Sequence, residues 1–131
     1  DSSSSRGLGD VYKRQYRDAL DWGARFITAR QVLREGIECV LDLIPAGADV
    51  YLAFDCDALD GSLMPAVMGP TPGGLGYWDV VDLIHGTAIR GHIVGFNMVE
   101  FAPVRDADGR AAHLAGRIAL NAVAMVARKG R

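Results

Sequence analysis

Two short apolar runs, residues 50–54 and 93–101, constrain this chain more than anything else in it. Both are rich in β-branched and aromatic residues, and both read as buried strands. Between them Tyr77, Val81, Ile84 and Ala88 recur at helical spacing, with Asp79 and Arg90 at the ends that suit the helix dipole. After the second run, Leu114, Ile118, Ala122 and Met125 mark a long amphipathic helix that ends on Arg128, Lys129 and Arg131. Strand, helix, strand, helix in this order predicts an α/β fold with parallel βαβ packing and right-handed crossovers.

Each strand ends in acid. The first runs Val50-Tyr51-Leu52-Ala53-Phe54 and then meets Asp55, Asp57 and Asp60. In an extended chain residues two apart point the same way, so Asp55 and Asp57 are expected to aim their carboxylates to one side. Two anions at the tip of a buried strand repel each other and resist desolvation. A hard divalent cation with oxygen ligands compensates them, which makes Asp55 and Asp57 candidate metal ligands. The plainer alternative is a solvated turn after a strand. The context favours the metal: residues 55–76 show no helical or strand period and carry Pro65, Pro70, Pro72, Gly69, Gly73, Gly74 and Gly76. A connection that long inside a compact domain is usually functional. The second strand delivers Glu100, which either reaches water or shares the rim with the aspartate pair. In the latter case one carboxylate group holds metal while the other receives a cationic substrate.

The remaining segments are short. Tyr16 to Trp22 reads as a helix end closed by Gly23, Arg25-Phe26-Ile27 as a short strand, and Thr28 with Gln31 as a helix-opening capping box. Ile37, Val40, Leu41 and Ile44 keep helical spacing up to Pro45. Residues 1–15 show no apolar period and include Ser2 to Ser5, Gly7 and Gly9, so they read as a disordered or non-native leader. The chain opens on Asp rather than Met, and residues 16–131 read as the C-terminal portion of a longer protein.

A net charge of −2 gives no electrostatic footprint for nucleic acid or an anionic membrane. No apolar stretch approaches the roughly 18 residues of a spanning helix. Cys39 and Cys56, the two cysteines, are expected to be reduced thiols in a cytoplasmic setting, with Cys56 turned away from its flanking aspartates.

The run Phe54-Asp55-Cys56-Asp57-Ala58-Leu59-Asp60, then Pro65, Pro70-Thr71-Pro72-Gly73-Gly74-Leu75 and Gly95-Phe96-Asn97-Met98-Val99-Glu100, resembles the ureohydrolase family of arginases and agmatinases. The flavour is closer to the agmatinase-like members. The resemblance implies a three-layer α/β/α fold with a parallel sheet, of which the C-terminal part is present here. It further implies two Mn²⁺ ions, with Asp55 bridging them, Asp57 on one of them, and Glu100 hydrogen-bonded to a substrate guanidinium. The implied reaction is hydrolysis of a linear, agmatine-like guanidino compound to urea and an amine by metal-activated water, in an enzyme of polyamine metabolism. A homo-oligomer is implied for the complete protein.

Three positions depart from the family pattern: Ala53 stands where Ser is usual, Gly61 where Pro is usual, and Asn97 where Asp is frequent. The family's remaining metal ligands, an earlier His and an Asp-x-His-x-x-x-Asp motif, have no counterpart here. His85, His92 and His113 read as packing or surface residues rather than substitutes. The chain alone is therefore expected to be inactive. A competing reading is a non-catalytic module that keeps the fold. A glycosyltransferase using Asp-x-Asp with Mn²⁺ is disfavoured by the small size and by Pro72-Gly73-Gly74.

Overall fold

A computed structural model describes residues 4–128. The elements run α1 (Ser4–Asp21), α2 (Ala29–Glu35), α3 (Glu38–Leu41), β1 (Asp49–Asp55), α4 (Tyr77–Arg90), β2 (His92–Val99) and α5 (Arg110–Ala127). The two strands form one parallel sheet, with Asp49 opposite His92 and Asp55 opposite Val99. The expected βαβ unit is thus present, with α4 as its crossover helix.

Alternation along the strands decides which face is covered. Phe54 and Ile93 are buried, and Leu52, Phe96 and Met98 pack beside them against Val80, Ile84, Ile118 and Ala122 of α4 and α5. One helical layer therefore sits on one face of the sheet, and Ile118 is wholly inaccessible to solvent. The other face is open in these residues: Tyr51 is 65% exposed and Val94 59%. His85 Nε2 lies 2.9 Å from Asn121 Oδ1 and so joins α4 to α5, which gives that histidine a structural partner. His92 and His113 are exposed.

The capping signals hold. Thr28 caps α2 by accepting from the Gln31 N–H at 3.1 Å, and the Asp79 carboxylate accepts from the Gly76 N–H at 2.8 Å. Arg90, at the end of α4, pairs with Asp42 at 3.1 Å and ties α4 to the segment after α3.

Two expectations differ from the structure. Residues 25–27 form no strand; Phe26 and Ile27 have no neighbouring strand to pair with among the described residues, and propensity alone does not make a ladder. The second strand stops at Val99 rather than Phe101, because Glu100 adopts a left-handed backbone that breaks the extended run. Of the leader expected over residues 1–15, the first three lie outside the described residues. The rest belongs to α1, where Tyr12, Tyr16 and Leu20 share one exposed helical face.

Candidate metal centre at the strand tips

β1 ends at Asp55, and the chain turns at once into a single 3-10 turn over Cys56–Ala58. Asp55 itself makes that turn: its Oδ1 accepts from the Asp57 N–H at 2.8 Å. Strand alternation therefore does not reach Asp57. An aspartate turn rather than pleating sets where Asp57 stands relative to Asp55. Cys56 points into the core and is fully buried, as its place between the acids suggested. Burial pushes its thiol up to about 11, with the negative charges of Asp55, Asp57 and Glu100 adding to the effect. The raised value makes Cys56 a neutral packing group rather than a nucleophile.

Glu100 follows the residue paired with Asp55, so it leaves the sheet one step beyond the aspartate. It is exposed, and at φ 66° it is the one non-glycine residue held in the left-handed region among the described residues. That conformation costs about 1–2 kcal/mol for a residue with a β-carbon. Strain of this kind persists where surrounding structure enforces it, and it clusters at ligand sites.

Asp60 has a separate task. Its Oδ1 accepts from the Ser62 N–H at 2.9 Å and the Ser62 hydroxyl at 2.6 Å, while its Oδ2 accepts from the Gly73 N–H at 2.8 Å. These bonds to its ionised form hold the carboxyl at about 2, with the Ser62 hydroxyl contributing most. The effect is to clasp the turn after β1 to the Pro-Gly-Gly segment. The Asp60 N–H to Leu75 carbonyl bond at 2.9 Å and the Leu75 N–H to Ala58 carbonyl bond at 2.8 Å complete the clasp. Gly73 supplies the positive φ of 83° this needs. A β-carbon on Gly74 would lie 2.5 Å from the Asp60 nitrogen, so only glycine fits there. The long connection is thus ordered and contributes its own Met64, Ala66 and Val67 to the core. Sequence reasoning gave Asp60 no role, although Asp two residues before Ser is itself a turn signal.

Whether a cation fits this rim can be judged from the donors themselves. Asp57 Oδ1 is buried and has no hydrogen-bond partner among the described residues, and the same is true of Asn97 Oδ1. A carboxylate oxygen shielded from water without a donor is unfavourable unless a positive charge faces it. Asp55 and Asp57 therefore fit a hard divalent ion as oxygen ligands. They do not complete its coordination, because no group of three or more His, Cys, Asp or Glu able to hold a metal occurs among the described residues. Glu100 is an exposed carboxylate one step beyond the residue paired with Asp55.

A parallel α/β unit carries the Asp-x-Asp turn, the Pro-Gly-Gly clasp and the strand-end glutamate together. The model of the arginase family matches residues 2–125, and the chain belongs to that family. Over 97 residues it is 38% identical to the N(1)-aminopropylagmatine ureohydrolase of Thermus thermophilus, an alignment spanning 74% of this chain and 33% of that one. The solved proclavaminate amidino hydrolase from Streptomyces clavuligerus superposes with a TM-score of 0.76 at 30% identity, covering 84% of this chain and 38% of that one. The agmatine ureohydrolase of Thermoplasma volcanium gives a TM-score of 0.66 at 31% identity over 77% of this chain and 34% of that one. These superpositions establish an arginase-like α/β fold. The chain spans about a third of the length of these relatives.

Proposed function

We propose that this chain is the C-terminal part of a manganese-dependent ureohydrolase, which hydrolyses a linear, agmatine-like guanidino compound to urea and an amine. The observation that carries the reading is Asp57 Oδ1, buried and partnerless beside Asp55 at the tip of β1. Asp55 and Asp57 would be the residues of this chain that hold manganese. Bound manganese would supply Lewis acidity that brings the pKa of a water toward neutrality. Glu100 binds and orients the substrate. Its carboxylate matches the planar, multi-donor guanidinium in two-point geometry, and its enforced backbone fixes where that carboxylate stands. The clasp through Asp60 and Gly73 keeps the metal-bearing turn in place, and buried Cys56 closes the floor of the rim to water.

Because ligands beyond Asp55 and Asp57 must come from elsewhere, residues 1–131 alone are expected to release no urea. The reading extends to a cytoplasmic homo-oligomer that binds neither nucleic acid nor membrane, supported by the balanced charge and the two free cysteines. The test is urea release by the complete protein from agmatine, arginine and 4-guanidinobutyrate, with and without Mn²⁺. Metal-dependent turnover of one of them, abolished by Asp55→Asn, is the expected result.

One observation favours a second reading, a non-catalytic module: the described residues bring no third ligand to the aspartate pair. Folded, metal-loaded complete protein that releases urea from none of the three compounds would decide for the module.

A further inference from the structure

Two Asp-Gly pairs occur in the chain, Asp60-Gly61 and Asp108-Gly109. Such a pair can rearrange on its own, because the glycine carries no β-carbon to hinder attack on the aspartate side chain. The glycine nitrogen attacks the side-chain carboxyl carbon, water leaves, and a five-membered succinimide forms. Water then adds back at either ring carbonyl. Addition at the main-chain carbonyl leaves isoaspartate, in which the chain runs through the former side-chain carboxyl. No atom is gained or lost overall, and no other reactant is needed.

Ring closure requires a carboxyl near the nitrogen, a nitrogen free to attack, and room for the backbone to turn. Both pairs meet the first condition: the N–H two residues on donates to the aspartate, at 2.9 Å from Ser62 and 3.2 Å from Arg110. Both carboxyls lie below the ordinary value, Asp60 mainly through the Ser62 hydroxyl and Asp108 mainly through the Arg110 N–H, so charge does not separate them. Nitrogen and room do. The Gly61 N–H donates to the Thr71 carbonyl at 2.8 Å. A β-carbon on Gly61 would lie 3.0 Å from Thr71 backbone atoms, so that space is filled. The second Asp60 oxygen is held by the Gly73 N–H. By contrast, no described group accepts from the Gly109 N–H. Nothing stands within 4 Å of where a Gly109 β-carbon would be, and Asp108 and Gly109 are both exposed.

The neighbouring Asp106 gives the rearrangement a consequence. Its carboxylate accepts from the Ala111 N–H at 3.2 Å and the Ala112 N–H at 2.8 Å, which caps α5. Isoaspartate at position 108 puts one more methylene into the main chain between this cap and the helix it serves. Independently of the ureohydrolase reading, we propose that Asp108-Gly109 is a self-modification site of the folded protein, where isoaspartate forms and loosens the start of α5, while Asp60-Gly61 is protected.

Ageing the complete protein at neutral pH and body temperature, folded and in guanidinium chloride, tests this. Trypsin releases residues 106–110, isoaspartate is located by electron-transfer fragmentation, and its amount is read by carboxyl methylation with an isoaspartyl methyltransferase. In the folded protein isoaspartate is expected at Asp108. Asp60 should react at least about 30-fold more slowly, since two further hydrogen bonds must open there first. In the unfolded chain the two pairs should react alike. The Tm of wild type should fall by about 2–4 °C as isoaspartate accumulates, the loss expected for a damaged helix cap. Asp108→Glu, whose longer side chain cannot close a five-membered ring, should show neither the modification nor the fall. Equal accumulation at both pairs in the folded protein, or none at Asp108 while the unfolded chain reacts at both, would overturn the assignment. A Tm that holds steady as isoaspartate accumulates would overturn its effect on α5.

Discussion

Replacing Glu100 by Gly should separate what this position costs the fold from what it gives the ligand. The residue is exposed and its φ is 66°, so the substitution sacrifices no packing and removes a left-handed strain of about 1–2 kcal/mol. Glycine returns part of that gain through its greater freedom in the unfolded chain, about 0.4–1 kcal/mol. The net expectation is a protein more stable by about 1 kcal/mol, a rise of about 4 °C in Tm for a domain of this size. Glu100→Gln keeps the β-carbon and therefore the strain, so its Tm should stay with wild type. Both variants lose the charge. A charge-assisted contact of about 1.5–3 kcal/mol then disappears from substrate binding, and kcat/KM should fall about 10- to 100-fold in each. The assay pairs calorimetric melting with urea-release kinetics on the same preparations. If Glu100→Gly melts no higher than Glu100→Gln, the backbone is not strained there. The claim that the structure holds Glu100 against its preference then fails.

Asp57→Asn should raise the Tm of the metal-free protein, because the buried oxygen no longer carries a charge, and should abolish the further rise on adding Mn²⁺. About 2.7 kcal/mol is expected for wild type at a metal concentration of 100 Kd; an equal metal-induced rise in both proteins would contradict this. Ile118→Ala, in the fully buried stripe of α5, should cost about 2–5 kcal/mol by urea denaturation. A loss under 1 kcal/mol would mean that the core between helices and sheet is not packed as described. Asp60 has its carboxyl lowered from an ordinary 3.8 to about 2, so its bonds stabilise the fold fully above the ordinary value. That contribution is lost as pH falls toward 2. In acid titrations wild type should lose stability across this window and Asp60→Asn should stay flat; parallel curves would remove the clasp.

How much of this was legible in the sequence varies by element. The two strands and the helix between them were plain, because Leu52, Phe54, Ile93, Phe96 and Met98 carry apolar side chains that the helices cover. Asp55 was legible for the same reason, as the first polar residue at a strand end. Asp57 was singled out on a strand-alternation argument that does not apply to it, since the chain leaves the pleat at Asp55 and enters a turn. Glu100 was found as a strand-end acid, but no local pattern advertises a glutamate with positive φ; tertiary structure imposes it. Asn97 stood out as a departure from a family pattern, and its unpaired buried oxygen became visible only in three dimensions. At Arg25–Ile27 the β-forming side chains lacked a partner strand. At α1 the serines and glycines hid the helical spacing of Tyr12, Tyr16 and Leu20.

Manganese anomalous scattering from crystals of the complete protein tests the central claim most directly. The account predicts an anomalous peak with carboxylate oxygens of both Asp55 and Asp57 within about 2.0–2.5 Å, the range oxygen ligands keep to divalent cations. It further predicts Glu100 beside that peak but not bound to it. Metal found elsewhere, or none at this rim while Asp57 Oδ1 stays buried and unpaired, would contradict it.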